Sequence, residues 1–124
     1  MKVEKIDHVA ILVKDLEKAG KFFADLLDTE FAGPNEIKEL DIRNLMSPEG
    51  IELVTPLTPD GPTARTLAQR GEGVTLISLE VPNVVEATGE MKAKGVRQVG
   101  GIGTRVALFH PKDLYGVLVE LIER

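Results

Sequence analysis

The chain has 124 residues, 43% hydrophobic and 28% charged, with a formal charge of −5; this is long enough for one domain whose core needs no disulfide or structural metal. The negative balance argues against nucleic acid as the main partner, and the absence of cysteine excludes disulfides, thiolate metal sites and cysteine nucleophiles. Met1 to Val13 carries scattered charges and no continuous apolar run, so neither a signal peptide nor a membrane span is expected and the default location is the cytoplasm.

In chain order, Val9, Ile11 and Val13 alternate with His8, Ala10 and Leu12, the period-2 signal of a strand over Asp7–Val13. Asp15 then serves as the N-cap of a helix whose apolar stripe is Leu16, Ala19, Phe22, Phe23, Leu26 and Leu27. Asp41–Met46 and Ile51–Thr55 read as strands separated by the turn residues Ser47-Pro48-Glu49-Gly50. Thr58–Gly61 is a loop, and residues 62–70 form a short connecting helix. Thr75–Val81 is the next strand. Asn83 with Glu86 three residues on resembles a capping box, opening a helix through Val84, Ala87 and Met91 that Gly95 ends. Thr104–Phe109 and Gly116–Ile122 complete the strands. The spacing leaves room for one further strand in each half.

The halves repeat. An offset that carries Asp15 onto Asn83 also carries Asp7–Val13 onto Thr75–Val81, Ala19 onto Ala87, and Ile51-Glu52-Leu53 onto Val119-Glu120-Leu121. The fold expected is α+β: two tandem βαβββ modules forming a cupped mixed sheet, in a single domain over 1–124. Module one covers about 1–57, the linker helix about 62–70, and module two about 73–124.

The repeat also pairs His8 with Leu76 and Glu52 with Glu120. A carboxylate inside an apolar run such as Val117–Ile122 costs several kcal/mol to desolvate unless it meets a cation, a partner or solvent. His8, Glu52 and Glu120 converging on one concave face would suit a divalent first-row metal. The plainer alternative is a hydrogen-bonded strand histidine with two solvent-facing glutamates, although two unrelated solvent glutamates need not share a repeat position.

The segments Ile6-Asp7-His8-Val9-Ala10-Ile11, Phe22-Phe23-x-x-Leu26-Leu27 and Glu52-Leu53-Val54-Thr55-Pro56-Leu57 resemble the vicinal oxygen chelate proteins. Arg70-Gly71-Glu72-Gly73, Leu108-Phe109-His110-Pro111-Lys112 and Gly116-Val117-Leu118-Val119-Glu120-Leu121 resemble the methylmalonyl-CoA epimerases within that superfamily. The resemblance implies His8, Glu52 and Glu120 as metal ligands, and Glu36 and Glu120 as the carboxylates that move a proton. Glu39 is the fallback for Glu36. It implies a divalent cofactor (Co, Mn, Ni, Zn or Mg), a small-molecule substrate such as an acyl-CoA, and a homodimer with no nucleic acid or membrane partner.

One departure stands out. The family's third ligand is a histidine, and its position here holds Leu76; Thr75 cannot replace it, because adjacent strand residues point to opposite faces. Two functions follow: a metal-dependent isomerase or lyase, epimerase-like or glyoxalase-like, or a metal-free binding protein of the bleomycin-resistance kind, in which Leu76 makes the pocket more apolar. His110 is read as either a pocket residue or a structural histidine before Pro111. Arg65, Arg70, Lys92, Lys94 and Arg97 are read as solvated charges rather than contacts to CoA phosphates.

Overall fold

Aligned with the predicted alternation, β1 runs over Lys5–Leu12, and its exposure falls to every second residue at His8, Ala10 and Leu12. A computed structural model describes all residues from Met1 to Arg124. After β1 come α1 (Leu16–Leu27), β2 (Ala32–Ile37), β3 (Ile42–Met46), β4 (Ile51–Pro56), α2 (Pro62–Arg70), β5 (Gly73–Glu80), α3 (Val84–Ala93), β6 (Gln98–Ile102), β7 (Val106–Phe109) and β8 (Leu118–Ile122). This is the expected α+β succession of two βαβββ repeats joined by a helix. The repeat offset is kept closely, since it carries β1 onto β5 end to end and the start of α1 onto the start of α3. No helix is long and apolar enough to cross a membrane.

The strands left open by the sequence are β2 and β6. Their sequences, AGPNEI and QVGGI, hold glycine, proline and polar residues and show no alternation. Intrinsic preference does not make them strands. Antiparallel pairing with β3 and with β7 does. β7 also starts later than the sequence suggests, at Val106, because Gly103 turns the chain with φ +54°.

The residues form two compact units, Ala10–Val74 and Met1–Val9 with Thr75–Arg124. β1 contributes to both, so the first nine residues associate with the second repeat rather than with the first.

In the Ala10–Val74 unit, the order is β2-β3-β4-β1, with Val13 N–H donating to Val54 O at 2.8 Å. The Asp15 side chain accepts from Lys18 N–H at 3.0 Å and caps α1. Beneath α1 lie Val13, Leu16 and Leu53, with Ile11, Ala19, Phe23, Leu45 and Ile51 packed around them. α2 opens with Pro62, whose missing N–H costs nothing in a first helical turn.

In the other unit the order is β1-β5-β8-β7-β6. β5 and β8 are parallel, whereas β8–β7 and β7–β6 are antiparallel. The Asn83 side chain accepts from Glu86 N–H at 2.9 Å, which is the capping half of the predicted box. α3 then lays Val84, Ala87 and Met91 against Val81, Ala107, Phe109 and Leu121. Burying aliphatic and aromatic side chains of this size contributes roughly 1.5–3 kcal/mol each. Alternation sends Leu76, Ser78, Leu108 and Glu120 to the opposite side of the same strands. That side carries the polar chemistry.

Candidate functional site

Glu120 sits in the middle of β8, level with Ser78 of β5 on one side and Leu108 of β7 on the other. It is only 4% exposed. The fully buried Ser78 hydroxyl donates to its Oε1 at 2.7 Å. Burial pushes the Glu120 carboxyl above the usual carboxylate range, while the Ser78 hydrogen bond and the neighbouring His8 pull it back only in part. A carboxylate that gains a proton readily is suited to general acid–base work.

His8 Nε2 lies 3.4 Å from Glu120 Oε1, and His8 is 6% exposed. Its other nitrogen, Nδ1, is 2.6 Å from Asp7 Oδ2. Asp7 is held in turn by Arg124, whose Nε and Nη2 donate to the two carboxylate oxygens at 3.0 and 2.7 Å. The Arg124 hydrogen bonds, assisted by His8, overcome the effect of burial and bring the Asp7 carboxyl down to about 2. The structure therefore brings together two of the sequence-derived residues, His8 and Glu120. It adds three that the sequence reading missed: Asp7, Ser78 and Arg124. Ser78 had a signal, a lone hydroxyl at the centre of the apolar run Leu76–Leu79. Arg124 had none, because it meets Asp7 from the far end of the chain.

Glu52 lies in the Ala10–Val74 unit and is likewise buried, at 6% exposure. Asn44 Nδ2 donates to its Oε2 at 2.8 Å, so this carboxylate too has a dedicated neutral donor. Asn44 is the only polar side chain of β3 in the buried register positions, and that was its signal in the sequence. Glu36 is not brought beside Glu52. It lies opposite Arg43 in the β2–β3 ladder, more than half exposed, with its carboxylate 4.0 Å from Arg43 Nε. Arg43 and Leu45 share the side facing α1, whereas Asn44 and Glu52 share the other. Glu39 falls in the 3-10 turn Lys38–Leu40 at the tip of that hairpin and is exposed.

Leu76 is buried on β5, level with Leu118 of β8, and shares a strand face with Ser78. His110 caps the 3-10 turn Pro111–Asp113, its Nδ1 accepting from Lys112 N–H at 3.1 Å. Of the basic residues, Arg97 is engaged by Asp113 through Nε at 2.8 Å and Nη2 at 3.1 Å. Lys94 pairs with Glu90 one helical turn away.

An imidazole nitrogen and a carboxylate oxygen are donors that a divalent cation accepts, though the structure gathers no group of three such side chains around one point. With Nδ1 committed to a carboxylate, a neutral imidazole offers Nε2 as its lone pair, the usual arrangement for metal-ligating histidines. Here that nitrogen faces a buried carboxylate oxygen.

Comparison with known proteins agrees with this architecture. The model of the glyoxalase/bleomycin resistance protein/dioxygenase superfamily matches residues 7–113. The human mitochondrial methylmalonyl-CoA epimerase is 35% identical over 94% of this chain and 72% of its own length. A crystal structure of the Mycobacterium tuberculosis methylmalonyl-CoA epimerase superposes with a TM-score of 0.86 at 30% identity, covering 98% of this chain and 88% of that one. A methylmalonyl-CoA epimerase solved with methylmalonyl-CoA and ammonium has a TM-score of 0.87 at 28% identity, covering 98% of this chain and 95% of that one. The protein described here belongs to the glyoxalase/bleomycin resistance protein/dioxygenase superfamily.

Proposed function

We propose that this chain, acting as a single domain, is an epimerase of the methylmalonyl-CoA type, moving a proton at the carbon beside a thioester carbonyl of an acyl-CoA. The observation that carries this reading is the buried pair of His8 and Glu120, with Nε2 and Oε1 3.4 Å apart and the carboxyl pushed above the usual carboxylate range by burial. The similarity to epimerases along nearly the whole chain supports it. So does the acyl-CoA bound in a superposable relative. Neither the bleomycin-resistance reading nor the lyase reading has a comparable observation behind it.

In this proposal His8 and Glu120 would hold a divalent ion. When bound, such an ion supplies Lewis-acid stabilisation of the negative charge that develops on a substrate carbonyl oxygen. The chain's own contribution is to bury the reacting groups, so that their charge interactions are little screened, and to move the proton. Glu120 takes it. Epimerisation also needs a second acid on the other side of the planar carbon; Glu36, which the sequence offered for it, shares the Arg43 face of the β2–β3 ladder and not the Glu52 face, so no residue is assigned to that role.

The test is α-proton exchange into deuterated water alongside conversion of one acyl-CoA epimer into the other. Glu120→Gln is expected to lower both by 100-fold or more, on the order of general acid–base contributions. Glu36→Gln, on the Arg43 face of the hairpin, is expected to leave both rates unchanged. Unchanged rates for Glu120→Gln would sink the reading, and lost inversion in Glu36→Gln would return Glu36 to it.

A further inference from the structure

We infer that Asp7 and Arg124 are positioning residues for His8: the Arg124 guanidinium fixes the Asp7 carboxylate, which accepts a hydrogen bond from Nδ1–H and, in the neutral imidazole, leaves the Nε2 lone pair directed toward Glu120. The inference rests on the reading of His8 as the site imidazole, and it assigns work to two residues outside the expected ligand set.

The geometry is specific at each link. Arg124 meets Asp7 through a fork, Nε to Oδ1 at 3.0 Å and Nη2 to Oδ2 at 2.7 Å. Two parallel hydrogen bonds fix the carboxylate in a plane, which a single lysine contact does not do. Oδ2 is also the atom 2.6 Å from His8 Nδ1, so the same oxygen is gripped from both sides. The three side chains then grade from surface to interior, at 56% exposure for Arg124, 9% for Asp7 and 6% for His8.

An ordinary surface ion pair contributes between nothing and 1 kcal/mol and has no further consequence. Here one partner of the pair is almost wholly buried and is itself the acceptor for an imidazole. A carboxylate has no proton to give, so the hydrogen bond requires the proton to be on Nδ1. In the neutral imidazole Nε2 is then the acceptor nitrogen, and it faces Glu120 Oε1 at 3.4 Å. Two acceptor atoms at that separation make a place for a shared cation or a shared proton. The tautomer is thus set from outside the site, by a residue more than a hundred positions away in sequence.

The test is the position of the His8 proton, read by long-range 1H–15N correlation NMR at about pH 9, well above the ordinary imidazole range. A His110→Gln variant assigns the two histidine spin systems. His8 is expected with its proton on Nδ1. Asp7→Ala should lower the ratio of the Nδ1–H to the Nε2–H form by about tenfold or more, the weight of one charge-assisted hydrogen bond. Arg124→Gln, at a side chain more than half exposed, should move the ratio in the same direction by less, and Arg124→Lys should restore part of it. A His8 proton on Nε2 in the native protein would overturn the inference, as would a ratio unmoved in both Asp7→Ala and Arg124→Gln. The readout needs neither substrate nor metal. An inactive protein with the expected tautomer would therefore count against the epimerase reading alone, and an active one with the wrong tautomer against this inference alone.

Discussion

The Ser78 hydroxyl donates to Glu120 Oε1 at 2.7 Å, between residues that are level with each other on adjacent parallel strands and are both buried. No water reaches this carboxylate freely, so the hydroxyl replaces part of the solvation lost on folding. Ser78→Ala leaves the oxygen short of a donor and is expected to destabilise the protein by about 1–3 kcal/mol. Urea unfolding should give a lower midpoint with an unchanged slope. A shift worth less than about 0.5 kcal/mol would mean that Glu120 finds another donor.

Asn44 does the same for Glu52 in the other unit, and its amide orientation is fixed because a carboxylate accepts only from Nδ2. Its Oδ1 is then buried with no hydrogen-bond partner. Asn44→Asp would set two carboxylates in contact. We expect a loss of about 1–3 kcal/mol at neutral pH from the missing donor alone, with part of it regained as the pH falls and the pair shares a proton. Equal destabilisation at pH 7 and pH 5 would contradict the arrangement.

Gly101 lies level with Ala107 in the β6–β7 ladder, and a Cβ added there would overlap the carbonyl oxygen of Val106. That oxygen is main chain and cannot swing away. Gly101→Ala should therefore cost about 1–3 kcal/mol, as overpacking does, whereas Gly100→Ala meets nothing within 4 Å and serves as the control. Thermal unfolding of the two variants side by side decides it.

Asp113 receives three hydrogen bonds from Arg97, two from the guanidinium and one from the backbone N–H at 3.0 Å. These hold its carboxyl at about 2, below its ordinary 3.8. A carboxyl depressed on folding adds stability that is present above its unfolded value and lost as the pH falls through the folded one. Asp113→Asn should accordingly flatten the fall in stability between about pH 4 and pH 2, relative to the parent, and change nothing in the slope near neutrality. Parallel acid-unfolding curves for the two proteins would remove this ion pair from the account of acid stability.

Much of the architecture is local and so was legible in the chain. Alternation at His8–Val13, the caps at Asp15 and Asn83, and the turn at Ser47–Gly50 each follow from the stereochemistry of a few neighbouring residues, and the repeat multiplied them into an α+β succession. That Glu52 and Glu120 stand inside apolar runs was legible too, whereas their burial, rather than a solvent-facing placement, came with the fold. Leu76 was identified by the same repeat, as the partner of His8. Tertiary structure decided what depends on contact between distant segments. β2 and β6 are strands only because β3 and β7 supply their hydrogen bonds. The β2–β3 register, not the sequence interval, put Glu36 opposite Arg43 and away from Glu52. The Arg124–Asp7–His8 chain exists only once both ends of the sequence meet, since no periodicity marks a hydrogen bond between residues so far apart. Sequence named the imidazole and the carboxylates; folding decided which oxygen each nitrogen faces.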